Sequence, residues 1–406
     1  MSQITGKVVT VVGGGASAHV LIPFLSGAGH QVRMLTRQPE RWSSRIQLEL
    51  QSIDQELLQT FEGSLAMVSD DPAKVIPQSD IVVLCMPVCA YRTALHQIAP
   101  YLRRDPEVAV GTIYGQAGFN WMVDEIAAKF GHQSLVTFAV GLIPWVCRVR
   151  EYGSVGVTYG SKEINVAAVL PRDRFDDLNE AFLSAICEEW LGKGAFEQSD
   201  SFLSLTLSVD NQIIHPSRCY GLFQRYGGSW ATEEEIPYFY RDFDEASADL
   251  LRALDADYTK VRDSLRSRFP DRSFRHMLDY LALERLSYQS ANTDIRESFV
   301  TSQTLGAIKP PVRQNAEGRW EIDIEHRFCT DDISYGICIA KWMAQEMNLE
   351  VPTIDSIIEW AQELRGEAFL EDGKLLVEGE SLAGQWRSGI PPVYGISTID
   401  EMVDSG

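Results

Sequence analysis

The hydrophobic pattern of this chain has two textures. Through the first half, short apolar runs rich in β-branched residues alternate with stretches of helical spacing. The runs are Val8–Val12, Gln31–Thr36, Leu65–Ser69, Ile81–Met86, Val108–Thr112 and Leu135–Val140. Such runs read as strands, largely buried on both faces. Ala18–Leu25, Cys89–Leu102 and Trp121–Phe130 have the 3.6-residue spacing of helices. Ser154–Tyr159 and Glu163–Ala168 are expected to extend the sheet. Alternation of this kind predicts a doubly wound parallel α/β sheet, with ligand at the carboxyl ends of its strands.

The texture changes in the second half. Long helical patterns take over at Leu203–His215, Phe243–Arg268, Phe274–Asn292, Ile333–Glu346 and Thr353–Leu364. Gly227-Gly228, Pro237, Pro310-Pro311 and Pro391-Pro392 punctuate them. A length of 406 residues exceeds one ordinary domain. The expected organisation is an α/β domain over 1–198 and a mostly α-helical domain over 199–406.

The first strand ends in Gly13-Gly14-Gly15-Ala16-Ser17-Ala18, and a helix follows. Strand, glycine turn and helix in this order form the G-x-G-x-x-A fingerprint of a Rossmann-type dinucleotide-binding domain. Gly13 permits the sharp turn, Gly15 leaves room for a pyrophosphate, and Ala18 lets helix and strand pack closely. The free N–H groups at the helix start, from Ala16, Ser17 and Ala18, suit phosphate. Pro87, closing the strand Ile81–Met86, is expected at the same edge. The second strand ends in Thr36-Arg37-Gln38-Pro39-Glu40-Arg41, without the carboxylate that ordinarily accepts the ribose 2′-hydroxyl of NAD. Arg37 and Arg41 could grip a 2′-phosphate, which favours NADPH, and Glu40 keeps NADH open.

A net charge of −21 disfavours nucleic acid and anionic membranes as partners. Locally, Arg262, Arg266, Arg268, Arg272 and Arg275 form a basic stretch, read as a solvated helix face. The seven cysteines are scattered, with no CxxC pair. They read as reduced thiols of a cytoplasmic protein, not a disulfide framework or a zinc site. The histidines show no paired-ligand spacing, so no metal is expected. Neither a signal peptide nor a run of about 18 apolar residues is visible.

Acid–base chemistry is carried by the second half. Asn211 and His215 are four apart, hence on one helical face. Pro216 follows and is expected to disturb the helix. A histidine so placed is a candidate proton carrier, with a buried structural histidine as the competing reading. Far downstream, Arg327 precedes Asp331 and Asp332. An aspartate there could orient His215, or simply cap the following helix. Arg327 could hold a carboxylate with both arms of its guanidinium.

Taken in order, the motifs resemble the opine dehydrogenases, nearest to the octopine dehydrogenase-like enzymes. The resemblance runs nearly end to end. It includes Gly13-Gly14-Gly15 with Ala18-His19, Gln116-Ala117-Gly118-Phe119, Pro144-Trp145-Val146-Cys147-Arg148 and His215-Pro216. Gly228-Ser229-Trp230, the stretch from Tyr240 to Leu250, Arg327 with Asp332, Ile357-Ile358-Glu359-Trp360-Ala361-Gln362 and Tyr394-Gly395 complete it.

The resemblance implies reductive condensation of a 2-oxo acid, usually pyruvate, with the amino group of an amino acid, using NADH or NADPH. It assigns the proton to His215, its orientation to Asp332 and the oxo-acid carboxylate to Arg327. It places Gln116, Asn211, Trp145 and Cys147 near substrate, and it implies a monomer or homodimer. One departure bears on the amine. Gly141-Leu142 stand where the octopine-using pattern has polar Glu-Thr. A small, apolar lining disfavours a buried guanidinium, so a small or apolar amino acid, or taurine, is expected before arginine. A related keto-acid reductase would carry lysine in place of His215. A non-catalytic dinucleotide sensor would lack the acid–base set.

Overall fold

The computed structural model describes residues 6–301, 306, 308–377 and 388–406. Its contacts divide the chain into two units. The first comprises residues 1–205 with Leu286–Tyr288 and Gly406, and the second Thr206–Arg285 with Gln289–Ser405.

The first unit is built on a sheet of eight strands. Its parallel core joins β1 (Val8–Val12), β2 (Gln31–Leu35), β5 (Met67–Ser69), β6 (Ile81–Leu84), β7 (Val108–Thr112) and β8 (Leu135–Val140). Their spatial order, β5-β2-β1-β6-β7-β8, is the 3-2-1-4-5-6 winding of a Rossmann-type domain. Beyond β8 the sheet stops being parallel. β11 (Ile164–Leu170) runs antiparallel to β8, and β12 (Ala195–Gln198) lies parallel to β11.

A second, four-stranded sheet was not expected. It orders β4 (Leu57–Ser64), β3 (Arg45–Gln51), β10 (Val155–Ser161) and β9 (Trp145–Glu151). The Ser154–Tyr159 run therefore belongs here rather than to the main sheet. Helix α1 (Ala16–Gly27) packs against β1 and β2 and also against all four strands of the second sheet. This explains why Ala18 through Leu25 are all buried, with no polar face. Two glycines permit the close approach. A Cβ on Gly63 would fall 2.5 Å from Pro23 Cα, and one on Gly156 2.7 Å from His19 Cβ.

The second unit is mostly helical, as its spacing predicts. Helix α2 (Asn211–Tyr226) lies along α3 (Glu245–Arg268), the longest helix, with α4 (Pro352–Arg365) against both. Two expectations need correction. The run Leu203–His215 is not one helix, because Phe202–Leu207 ends before α2 begins. Ser208 and Asp210 draw the intervening backbone into other bonds: Leu278 N–H donates to Ser208 Oγ at 2.8 Å, and Asp210 caps α2 through Asn211 N–H. Nor does Pro216, expected to disturb its helix, interrupt it. It sits inside α2, where Ser217 Oγ donates to the carbonyls of Ile213 and Ile214 at 2.7 and 3.0 Å. Within the basic stretch, Arg262 is a further correction. It is buried, with its guanidinium on Asp255 at 2.6 Å and on the Leu207 carbonyl at 3.0 Å. No helix among the described residues is long and apolar enough to cross a membrane, and none of the seven cysteines forms a disulfide.

Candidate active site

The first unit presents a cradle at the carboxyl end of β1. Gly13 adopts φ +102, and a Cβ there would collide with the Cys85 carbonyl oxygen at 2.5 Å. Gly15 differs: its Cβ would meet nothing nearer than that same oxygen, at 3.7 Å. The turn is therefore closed below and open above Gly15. Helix α1 starts with no side-chain cap and no acidic residue in its first turn, which leaves its dipole and the Ala16 and Ser17 N–H groups for an anion, while the expected Ala18 N–H is taken by the Gly15 carbonyl at 3.1 Å.

His19 locks this turn from beneath. Its Nδ1 lies 2.9 Å from the Gly15 carbonyl, and Gly153 N–H donates to its Nε2 at 2.9 Å. That arrangement requires the neutral ring with the proton on Nδ1. Burial lowers the imidazole pKa accordingly, against a smaller opposing effect of the Gly15 bond. The ring packs on Trp42 and Tyr152, at centroid distances of 4.5 and 5.8 Å. Tyr152 in turn carries the Arg41 guanidinium 4.3 Å above its ring. Thr36 and Arg37 follow β2 at the same edge, Thr36 buried and Arg37 exposed. Pro87 closes β6 just past Met86, whose Cβ neighbours Gly13.

The second unit assembles the expected acid–base residues. His215 Nδ1 lies 2.7 Å from Asp332 Oδ2. The imidazole is 1% exposed, stacked on Phe328 with centroids 3.4 Å apart and edged by Phe239. Burial holds His215 well below its ordinary pKa. Arg327 and His326 push the same way, while Asp210 opposes them. Burial pushes Asp332 up to about 7, with Arg327 pulling it back. The charge-separated and neutral forms of this pair are thus brought close together, and it titrates as a unit. Arg327 begins the helical turn Arg327–Thr330 and is exposed, with no carboxylate partner among the described residues. Asn211 opens α2, one turn before His215.

Residues 198–365 match the family described as NAD/NADP octopine/nopaline dehydrogenase, alpha-helical domain. That helical part of the chain belongs to the family, and the whole chain resembles opine dehydrogenases. An opine dehydrogenase from Haliotis discus hannai is 24% identical, covering 98% of each chain. An octopine dehydrogenase from Mizuhopecten yessoensis is 27% identical over 97% of this chain and 98% of its own. The fold agrees with that of octopine dehydrogenase solved with NADH and L-arginine, at a TM-score of 0.82, 23% identity and 98% coverage of both chains. These likenesses indicate an NAD(P)-dependent oxidoreductase of the class acting on CH–NH donors.

The other expected substrate residues lie in the first unit. Gln116 is fully buried after β7 and accepts from the Tyr114 hydroxyl at 3.0 Å. The Cys147 thiol is buried on β9, a strand that packs against α1. Trp145 is buried too, 2% exposed, with its indole N–H on the Ile186 carbonyl at 2.8 Å. One residue beside the acid–base pair was missed. The Tyr240 hydroxyl lies 3.3 Å from Nε2 of His215. Its signals in the sequence were the aromatic run Tyr238-Phe239-Tyr240 after Pro237 and its place at the head of the family-like stretch from Tyr240 to Leu250.

Proposed function

We propose that this chain condenses the amino group of an amino acid with a 2-oxo acid, pyruvate foremost, and reduces the resulting imine to an N-(1-carboxyalkyl)amino acid, and that it catalyses the reverse. The observation that carries this reading is the buried His215–Asp332 hydrogen bond, with the unpaired Arg327 guanidinium exerting its field on both partners.

Each residue answers one demand of the reaction. The oxo acid brings a carboxylate, and the fork of Arg327 matches it with two parallel N–H donors. Loss of water from the condensation adduct and protonation of the product nitrogen both move a proton at neutral pH. His215 carries that proton at Nε2, while Asp332 accepts from Nδ1 and fixes the tautomer. Asn211 and Gln116 are assigned to orienting substrate. The dinucleotide is held by the turn Gly13–Ala18, including Gly15, Ala16 and Ser17, with Thr36, Arg37, Arg41 and Pro87 around the adenosine end and strand edge. When bound, it supplies the hydride.

Two finer assignments follow. Arg41, steadied over Tyr152, and Arg37 favour NADPH over NADH by offering cations to a 2′-phosphate. For the amine, Lys162 adds to the argument from Gly141-Leu142. Its ammonium is buried and donates to the Ile143 carbonyl beside that strip. A cation there disfavours a second one, and the amine is therefore a small or apolar amino acid, or taurine, rather than arginine. The test is product analysis. Incubation with pyruvate, NADPH and individual amines should yield a secondary amine whose mass joins both substrates. Lactate as the sole product would refute the condensation.

A further inference from the structure

Nε2 of His215 has a single lone-pair direction, and the Tyr240 hydroxyl occupies it at 3.3 Å. The rest of the ring is enclosed. Asp332 takes Nδ1, Phe328 covers one face and Phe239 packs on the edge. With the imidazole 1% exposed, a substrate atom can meet Nε2 directly only if Tyr240 moves away.

The backbone that carries Tyr240 is held in place. Arg218, itself fully buried, binds the backbone on both sides of it. Its guanidinium donates to the carbonyls of Tyr238 at 3.2 Å, Phe239 at 3.0 Å and Asp242 at 2.8 Å. It also reaches Ser247 Oγ at 3.0 Å and the Asp244 carboxylate at 3.4 Å, anchoring the segment to the start of α3. Burying a cation to hold three consecutive-loop carbonyls makes sense where the segment must stay in register.

We infer that Tyr240 is a catalytic residue, the group through which the proton of His215 reaches the reacting substrate atom. This rests on the proposed function. In the reductive direction the Nε2–H bond of His215 breaks as a new O–H bond forms on Tyr240. At the same moment the original Tyr240 O–H bond breaks and its proton joins the substrate oxygen or nitrogen. One proton is transferred in total, Tyr240 ends unchanged, and no further redox reagent is needed. The reverse reaction runs the chain backwards. Four further groups act on His215: Asp332 and Asp210 favour its protonated form, while Arg327 and His326 oppose it.

Three readouts test the relay. In wild-type enzyme, turnover in mixed light and heavy water should give a curved proton inventory, the signature of two protons in flight. Tyr240→Phe should lower kcat by about 10²-fold or more and make the residual inventory linear, with dinucleotide binding kept. In nitrogen-15 spectra, Tyr240→Phe should shift the His215 Nε2 resonance, assigned with His215→Gln. A linear wild-type inventory would overturn the relay, as would turnover of Tyr240→Phe within about twofold of wild type. Slow turnover with an unchanged inventory would reduce Tyr240 to a packing role and equally overturn it. If Tyr240→Phe does not fold, the wild-type inventory decides. The nitrogen-15 shift needs no turnover. An unmoved Nε2 resonance refutes the relay, whereas absent turnover with a moved resonance counts against the substrate assignment.

Discussion

Asp332 Oδ2 lies 2.7 Å from His215 Nδ1 across 117 residues of chain, with both side chains almost wholly buried. A buried carboxylate beside a buried imidazole is costly unless they share a proton through a good hydrogen bond. On the proposed function, reductive turnover needs the pair with its extra proton, and burial pushes the Asp332 carboxyl up to about 7. The reductive kcat/KM should therefore fall as pH rises through that range, and the oxidative kcat/KM should rise. In Asp332→Asn the imidazolium loses its stabilising carboxylate. Burial and Arg327 then act unopposed except by Asp210, so the reductive limb should move to lower pH. Its kcat should drop by about 10²–10⁴-fold, as should that of His215→Ala, with dinucleotide binding intact. Initial rates across pH check both statements.

Arg327→Ala should raise the KM for the oxo acid by about 10²-fold while changing the amine KM little. Arg327→Lys should recover only part of this, because a point charge cannot reproduce the two-armed contact. A larger effect on the amine would show that Arg327 serves the other substrate.

At the adenosine end, Arg41→Ala should weaken NADPH more than NADH. Losing a charge-assisted bond to a 2′-phosphate costs about 1.5–3 kcal/mol, or roughly 10–100-fold in kcat/KM. Tyr152→Leu should show a smaller shift in the same direction, because Arg41 loses its ring support. Equal effects on both cofactors would place the arginine away from the 2′ position.

His19 gives a stability prediction. Its folded-state pKa is lowered by burial, so below about 6.5 the unfolded chain binds a proton that the folded chain does not. The stability it contributes is present above that pH and is lost as pH falls through it. His19→Ala should cost about 1–3 kcal/mol by leaving the Gly153 N–H without its acceptor. It should also flatten this acid slope and loosen the dinucleotide turn. Urea denaturation on either side of pH 6.5, with cofactor titration, measures all three.

Much of this was legible in the sequence for identifiable reasons. β1, β6, β7 and β8 are buried on both faces, so their runs are continuous and rich in β-branched residues. The second sheet was harder. Leu57 and Leu58 of β4 are exposed, and β9 is polar beyond Cys147, so neither shows a clean alternation. Arg45–Gln51 does alternate, with Ile46 and Leu48 inward, and that signal was readable. His215, Asp332 and Arg327 were legible as residue types at suggestive places, whereas their meeting depends on tertiary packing. Tyr240 could not be found by spacing. Its position is set by Arg218, a buried cation holding backbone carbonyls, and no local pattern encodes that.

The most direct test of the central claim is oxidation of NADH and NADPH at about 340 nm, with pyruvate and amines supplied separately and together. The account predicts oxidation only when both are present, faster with NADPH and with small or apolar amino acids or taurine than with arginine. Equal oxidation with pyruvate alone would contradict it and make the chain a simple keto-acid reductase.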